Sequence, residues 1–126
     1  ADYASRGELA MPGKNLEASV RYEPGVAILD LHGEINALAE DALMAAYAEA
    51  EQQEVGMIIL NFNDVDYMNS TGIALIVSLL GRARKAKRRL LAYGLSEHYV
   101  EIFQITRLVD FLSVFPDEKS ALADGR

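Results

Sequence analysis

Alternating apolar and polar residues near the start of the chain predict a hairpin of two strands. From residue 16 to 22 every second residue is apolar, which is the period of a half-exposed strand at a sheet edge. Pro24-Gly25 then favours a tight turn, because Pro fixes one φ angle and Gly permits a positive one. The second strand is predicted from Val26 to His32, and we expect Gly33 to end it, with residues 34 to 36 forming a loop.

A helix and a central strand are predicted next. Small and apolar residues recur at helical spacing from about Leu38 to Gln53, and their small size allows the helix to lie close to a sheet. Residues 55 to 60 are apolar without alternation, which is typical of a strand covered on both faces. The helical positions expected to face the core are Ala39, Leu43, Ala46, Tyr47 and Ala50.

The second half of the chain repeats this order of elements. A helix is predicted after Ser70, a strand from Arg89 to Tyr93, and a helix from its cap Ser96 to about residue 106. A short strand at about residues 112 to 115 precedes Pro116-Asp117, a common helix opening, and a short amphipathic tail. Strands that alternate with helices indicate an α/β fold, here a small mixed sheet, mainly parallel after the hairpin, with about four helices packed on it.

The helix after Ser70 is predicted to turn one apolar face to the core. Leu75 falls outside that face, so it is a candidate contact for a partner protein. The alternative is a wider core face that also takes in Leu79. The residues predicted to face the core are Ile73, Ile76, Val77 and Leu80.

Composition restricts the function classes. We expect one domain from residue 16 to 123, and a loose arm over residues 1 to 15, which lack periodicity. The net charge of −7 argues against non-specific nucleic-acid binding. The absence of cysteine excludes disulfides and thiolate chemistry. No apolar stretch approaches the ~20 residues of a spanning helix. We therefore expect a cytoplasmic protein without membrane insertion.

A basic run holds half of the chain's twelve Lys and Arg residues. Cations at the C-terminal end of a helix complement the helix dipole, so direct nucleic-acid binding is the weaker interpretation. A docking patch for an acidic protein surface stays open. The run comprises Arg82, Arg84, Lys85, Lys87, Arg88 and Arg89.

No cofactor or metal is expected from the sequence. The two histidines, His32 and His98, are far apart and no cysteine joins them, so a zinc site is not indicated. No Gly-rich phosphate loop precedes a helix. Asp64 and Asp66 have no convergent nucleophile, so we do not expect an enzyme.

The candidate functional segment is Asn69-Ser70-Thr71-Gly72, where a strand and a loop lead into a helix. Asn69 is a favourable N-cap residue, and Ser70 and Thr71 fall in the first turn. A helix N-terminus carries free N–H groups and partial positive charge, so an anion on Ser70 is accommodated there. This arrangement suits a phosphoserine.

Two motifs resemble landmarks of a known family. Residues 64 to 74 resemble the phosphorylation segment of anti-sigma factor antagonists of the bacterial STAS-domain family, in which Asp, Ser, Ser or Thr, and Gly follow an aromatic-Met pair. Gly33-Glu34-Ile35-Asn36 resembles the second landmark, Gly-Glu-Ile/Leu-Asp. The order of the two motifs also matches. Three amides depart from the family pattern, since Asn36, Asn61 and Asn69 stand where Asp is usual.

The resemblance implies a function and a set of site residues. Family members bind an anti-sigma factor of the serine-kinase type and release it when the serine matched here by Ser70 is phosphorylated; Thr71 is the fallback acceptor. A phosphatase partner and a homo-oligomer are left open. The alternatives are an unphosphorylated STAS scaffold or assembly subunit, which the three amides favour, and a sensor of a small ligand or nucleotide. The implied partner-binding residues are Gly33, Glu34, Ile35, Asn36, Tyr67, Met68, Asn69, Ser70, Thr71, Gly72 and Leu75.

Overall fold

A computed structural model describes residues 15–125 as one five-stranded sheet with helices on both of its faces. The predicted arm lies outside the described residues except for Asn15. The strands are β1 (Glu17–Glu23), β2 (Val26–Ile35), β3 (Met57–Met68), β4 (Arg89–Tyr93) and β5 (Ser113–Phe115). The helices are α1 (Glu40–Glu51), α2 (Ser70–Lys85), α3 (Glu97–Ile105) and α4 (Glu118–Gly125), with single 3₁₀ turns at Ala37–Ala39 and Leu108–Asp110.

The sheet is mixed, as the sequence predicts. Its strands lie side by side in chain order, from β1 to β5. The β1–β2 pair is antiparallel, and its turn contains Gly25 at φ +76°, a value that favours glycine. The remaining pairs are parallel. The α/β prediction is therefore confirmed.

The two faces of the sheet are covered unequally. Helices α1, α2 and α3 pack on one face over the larger core, where Leu43, Ile76 and Phe103 are fully buried. The short helix α4 packs on the other face, where Ala121 covers a smaller apolar cluster. The strand residues of that cluster are Val26, Ile28, Met57, Ile59, Leu91 and Tyr93.

Polar contacts fix α4 to its face of the sheet. Arg21 on β1 forms ion pairs with Asp30 on β2 (Nε–Oδ2, 2.5 Å) and with Glu118 on α4 (Nη2–Oε1, 2.6 Å). The Tyr93 hydroxyl donates to Glu118 Oε1 at 2.7 Å. Hydrogen bonding to Arg21 lowers the pKa of both carboxyl groups below the ordinary value. The carboxylates are thereby held in the charged form that anchors α4.

Strands β2 and β3 both run further than predicted. The predicted end of β2 at Gly33 is wrong, because the strand continues to Ile35 through two register irregularities beside β3. Gly33 has φ +110° at the second of them, so it permits an irregularity instead of ending the strand. The expected loop after Leu60 is also strand, since β3 continues to Met68 alongside β2 although β4 ends at Tyr93. Pairing with β2 outweighs the poor strand preference of the polar residues.

The core face of α2 differs from the predicted one. Leu75 is only 8% exposed and Leu79 is fully buried, so the wider core face is correct. Val77 was predicted to face the core, yet it is 47% exposed. At α3, Ser96 takes the N-cap position without a side-chain hydrogen bond. None of the helices in residues 15–125 is both long and apolar enough to cross a membrane.

Candidate functional site

The two motifs singled out in the sequence meet at one edge of the sheet. Parallel pairing of β2 with β3 places Glu34 opposite Tyr67 and Ile35 opposite Met68. One step further, the Asn69 N–H donates to the Ile35 carbonyl oxygen at 3.3 Å. The start of α2 is therefore joined directly to the end of β2, and we call residues 33–36 and 67–72 together the Ser70 site.

Asn69 begins α2 in the way that its residue type predicts. Its backbone is extended (φ −98°, ψ −176°), and its side-chain Oδ1 accepts from the Gly72 N–H at 2.9 Å. Its carbonyl accepts from the Ile73 N–H at 3.0 Å. The cap satisfies one of the first-turn amides, while those of Ser70 and Thr71 precede the first intrahelical partner. Two amides thus stay available at the helix N-terminus.

Gly72 is required by the close approach of α2 to β2. A Cβ atom built at this position lies 1.8 Å from the Ile35 carbonyl oxygen and 2.6 Å from its carbon. Both atoms belong to the backbone, so a side chain here forces α2 away from the strand. The glycine therefore fixes where the first turn of α2 stands, and with it Ser70.

Tyr99 on α3 supports the site from the other side of β3. Its buried hydroxyl accepts from the Met68 N–H at 2.8 Å and donates to the Met68 carbonyl at 3.2 Å. Strand β4 ends too early to pair with this part of β3. The tyrosine hydroxyl thereby satisfies two backbone groups that otherwise lack a partner inside the protein.

Ser70 and Thr71 are both exposed at the surface. Within residues 15–125 neither hydroxyl forms a hydrogen bond. The free Ser70 hydroxyl stands at the positive end of a 16-residue helix, beside the free first-turn amides. This geometry can hold an anion at Ser70, and it leaves the hydroxyl open to another protein.

The sequence model of the STAS domain family matches residues 17–121. The chain belongs to the STAS domain family. An anti-sigma-B factor antagonist of Listeria monocytogenes is 28% identical over 82 residues, which are 65% of this chain and 72% of that protein. A protein of the same name from Staphylococcus aureus is 29% identical over 82 residues, 65% of this chain and 76% of its own length.

Solved structures agree with the STAS assignment at the level of the fold. The phosphorylated form of the Bacillus cell fate determinant SpoIIAA superposes with a TM-score of 0.67 at 22% identity, over 86% of this chain and 99% of that one. An anti-sigma factor antagonist from Mycobacterium paratuberculosis superposes with a TM-score of 0.76 at 16% identity, over 87% and 93% of the two chains. The predicted STAS fold is confirmed.

The predicted partner-binding residues of this STAS domain divide by burial. Tyr67, Ser70 and Thr71 are exposed, and Glu34, Asn36 and Asn69 are half-buried at the same edge. The side chains of Ile35, Met68 and Leu75 lie in the core, so their direct contact with a partner stays a prediction that their burial does not favour. Packing beneath the edge is their role. The glycines at 33 and 72 are buried as well.

Two residues that flank the Ser70 site, Leu38 and Tyr99, were not predicted to take part in it. Leu38 is 81% exposed in the 3₁₀ turn after β2, where its N–H donates to Asn36 Oδ1 at 2.9 Å. The sequence does contain a signal for this exposure, because Leu38 is an apolar residue that lies outside the apolar face of the helix predicted after it. The hydrogen bonds of Tyr99 to Met68 could not be found in the same way, because they depend on how α3 crosses β3.

The three amides that depart from the family pattern have different surroundings. Asn61 lies on the α4 face, where its Nδ2 donates to Asp30 Oδ1 at 2.8 Å, so an Asp here would set two carboxylates against each other. Asn36 Nδ2 donates to Glu34 Oε1 at 3.4 Å. Asn69 uses only its oxygen within the described residues, a bond that Asp forms equally well. Only Asn69 is therefore both next to Ser70 and unexplained by its contacts.

Charged side chains near this edge do not form a metal site. His32 Nδ1 lies 3.5 Å from Asp64 Oδ2, and both side chains are largely exposed. Across residues 15–125 no group of three or more His, Asp or Glu side chains could hold a metal ion.

Proposed function

We propose that this STAS domain is a regulatory protein-binding module, an anti-sigma factor antagonist that acts in the cytoplasm. In this proposal it binds an anti-sigma factor of the serine-kinase type through the Ser70 site. Phosphorylation of Ser70 by that kinase ends the binding, and a phosphatase restores it. The domain itself performs no catalysis.

The observation that carries the proposal is the exposed Ser70 hydroxyl at the N-terminus of α2, which forms no hydrogen bond within residues 15–125. Asn69, Gly72 and Tyr99 hold the surrounding backbone through contacts made beneath the surface. Tyr67, at 48% exposure, and Leu38, in the 3₁₀ turn that contacts α2, are exposed apolar side chains on segments next to the start of α2. Aromatic and other large apolar side chains are enriched in protein interfaces.

The names of the relatives support the same function. The Listeria and Staphylococcus relatives are anti-sigma-B factor antagonists. SpoIIAA, which shares the fold, has been solved in a phosphorylated and in an unphosphorylated form. Ser70 offers this chain a residue for the same kind of modification.

A phosphate on Ser70 opposes binding through its charge. It adds about −1.5 to −2 charges and three strongly solvated oxygens to the centre of the contact surface. The helix N-terminus stabilises that charge in the free protein, since the amides of the first turn face it. A partner that docks over Ser70 must remove this solvation, so the modified protein binds more weakly.

The first test is phosphorylation of the whole chain by the kinase-type anti-sigma factor of the same genome with ATP, followed by intact-mass analysis and peptide mapping. We expect one phosphate, on Ser70. Ser70→Ala should abolish it, while Thr71→Ala and Ser78→Ala should not; Ser78 is a matched control because it is an exposed serine on the same helix. Modification of Ser78, or no modification at all, contradicts the switch.

The second test measures binding of the same anti-sigma factor by calorimetry. Ser70→Ala should bind like the unsubstituted protein, and Ser70→Asp should bind at least about tenfold more weakly, equivalent to ~1.4 kcal/mol. The Asp carries less charge than phosphate, so the phosphorylated protein should lose more. Equal affinity of the Ala and Asp variants would remove the basis for regulation at Ser70.

A second candidate function is a STAS scaffold that is never phosphorylated, and Asn69 favours it. The family usually has a carboxylate there, and the contacts of Asn69 supply no reason for the amide. Asn69→Asp keeps the cap and adds the charge. The scaffold function is preferred if the kinase phosphorylates Asn69→Asp but not the unsubstituted protein, and if the unsubstituted protein forms a stable assembly.

A further inference from the structure

An apolar groove lies at the far end of α2 from Ser70. It has a volume of about 420 Å³ and runs between the C-terminal half of α2 and the 3₁₀ turn Leu108–Asp110. We call it the Phe111 groove. Its lining residues are Val77, Leu80, Gly81, Arg84, Leu108 and Phe111.

The walls of the Phe111 groove expose apolar side chains that the fold leaves uncovered. Phe111 is 56% exposed and Val77 is 47% exposed, one on each side. Gly81 lies one helical turn after Val77, and a Cβ built there meets no atom within 4 Å. The glycine therefore leaves a flat, open place on the helix where another backbone can approach closely.

Unpaired cations border the same groove. The Arg84 guanidinium lies 5.0 Å from the centre of the Phe111 ring, and Lys85 follows on the exposed surface. Within residues 15–125, Arg84, Lys85 and Lys87 form no ion pair. The other arginines nearby do, because Arg82 and Arg88 pair with Glu51 and Arg89 pairs with Asp124.

This local charge is opposite to that of the protein as a whole. The chain has a net charge of −7, yet two cations that are unpaired within residues 15–125, Arg84 and Lys85, lie beside one apolar groove. The one carboxylate in the adjacent turn, Asp110, is bonded to Arg107 at 2.8 Å. An apolar stripe bordered by cations is complementary to a helix whose apolar stripe is bordered by Asp or Glu.

We propose that the Phe111 groove is a second docking surface, which takes an acidic amphipathic helix of a partner protein. Val77 and Phe111 hold the apolar face of that helix, and Gly81 allows its backbone to approach. Arg84 and Lys85 pair with its carboxylates. Since Arg84 is 14 residues from Ser70, or ~21 Å along the helix, this surface is separate from the Ser70 site.

Two other occupants fit the groove less well. A second copy of this chain would bring the same unpaired cations of two molecules together, which opposes association. Nucleic acid would satisfy the cations, but it would leave Val77 and Phe111 facing a phosphate backbone instead of an apolar surface.

The test uses three synthetic peptides and the whole protein. The first peptide has about 16 residues with a stripe of Leu at helical spacing and Glu on both borders. The second keeps the Leu positions and replaces every Glu with Lys, and the third is the first in scrambled order. Calorimetry gives the affinities, and amide shifts in NMR spectra give the location.

We expect the Glu-bordered peptide to bind at least about tenfold more tightly than the other two, equivalent to ~1.4 kcal/mol. When this peptide is added, the protein amides that shift should be those at Val77, Gly81 and Phe111. The affinity of the peptide should decrease as salt is raised. Phe111→Ser should weaken binding about tenfold. Tyr22→Ser is the matched control, since Tyr22 is a half-exposed aromatic residue on β1.

A charge reversal keeps the test decisive if Phe111→Ser fails to fold. Lys85→Glu combined with Lys87→Glu alters two exposed side chains that bond to nothing within the described residues, and it should transfer the preference to the Lys-bordered peptide. The proposal is overturned if the Glu-bordered and Lys-bordered peptides bind with equal affinity, or if the amide shifts occur around Ser70. It is also overturned if the unsubstituted protein is a homodimer that Phe111→Ser converts to a monomer, or if an RNA oligonucleotide binds more tightly than the Glu-bordered peptide.

Discussion

The two ends of α2 are built in opposite ways. At the first turn, each contact is close and specific: Asn69 caps the helix, Gly72 touches a backbone carbonyl, and Tyr99 bonds to Met68. In the C-terminal half of the helix, Gly81 has open space around it, and Val77 lies exposed. One helix thus carries a rigidly positioned polar end and an uncovered apolar end.

This difference separates two ways of binding a protein. The first end fixes one small chemical group, the Ser70 hydroxyl, where its modification changes the surface charge. The second end offers apolar contact area and excess positive charge. Contact area of this kind favours affinity, whereas a fixed hydroxyl favours regulation.

The largest contrast between the two ends is expected from adding one methyl group to each. Gly72→Ala forces Cβ against the Ile35 carbonyl and should lower the free energy of unfolding by about 3 kcal/mol. Gly81→Ala meets no atom and gains helix preference, so it should raise that free energy by up to ~1 kcal/mol. Urea unfolding measures both. Similar losses in the two variants would mean that the ends do not differ in packing.

A smaller contrast is expected from removing one tyrosine hydroxyl at each end. Tyr99→Phe leaves the Met68 N–H and carbonyl buried without partners and should cost about 1–3 kcal/mol. Tyr47 lies under the other end, where the Arg82 guanidinium is 4.8 Å from its ring centre, and its buried hydroxyl has no hydrogen-bond partner among residues 15–125. Tyr47→Phe should therefore leave stability unchanged or raise it slightly. Thermal unfolding of both variants measures the two changes in stability. An equal loss of stability in the two variants would contradict the role of Tyr99.

The smallest contrast is expected from placing a negative charge at each end. Ser70→Asp should stabilise the helix by ~0.3–1 kcal/mol, and Lys85→Glu should destabilise it by a similar amount, because the dipole has opposite signs at the two ends. Ser70→Asn and Lys85→Gln are the neutral controls. Unfolding in low and high salt measures the difference, which should shrink as salt screens it. A difference that survives high salt would have another cause.

The parts of α2 that could be predicted are those set by neighbours in sequence. Asn69 begins the helix because a cap needs only the next three residues. The edges of its buried face could not be predicted in the same way: Val77 was expected in the core and is exposed, and Leu75, for which both core and partner contact were left open, is buried. The length of β3 was missed for a similar reason: its polar second half forms a strand because β2 pairs with it. The closeness of Gly72 to Ile35 involves residues 37 positions apart, which periodicity cannot detect.

Strand β3 continues past the end of β4, and this has a consequence for solubility. A strand segment with no neighbouring strand on one side leaves unpaired backbone groups there, to which another chain can add. Here side chains occupy some of its backbone groups: Asn61 Oδ1 accepts from the Asn63 N–H at 3.0 Å, and Tyr99 engages Met68. Asn63, Asp64 and Asp66 add exposed polar or charged groups to the same segment. These side chains therefore reduce the number of open backbone groups that β3 offers to another chain on its way to the Ser70 site.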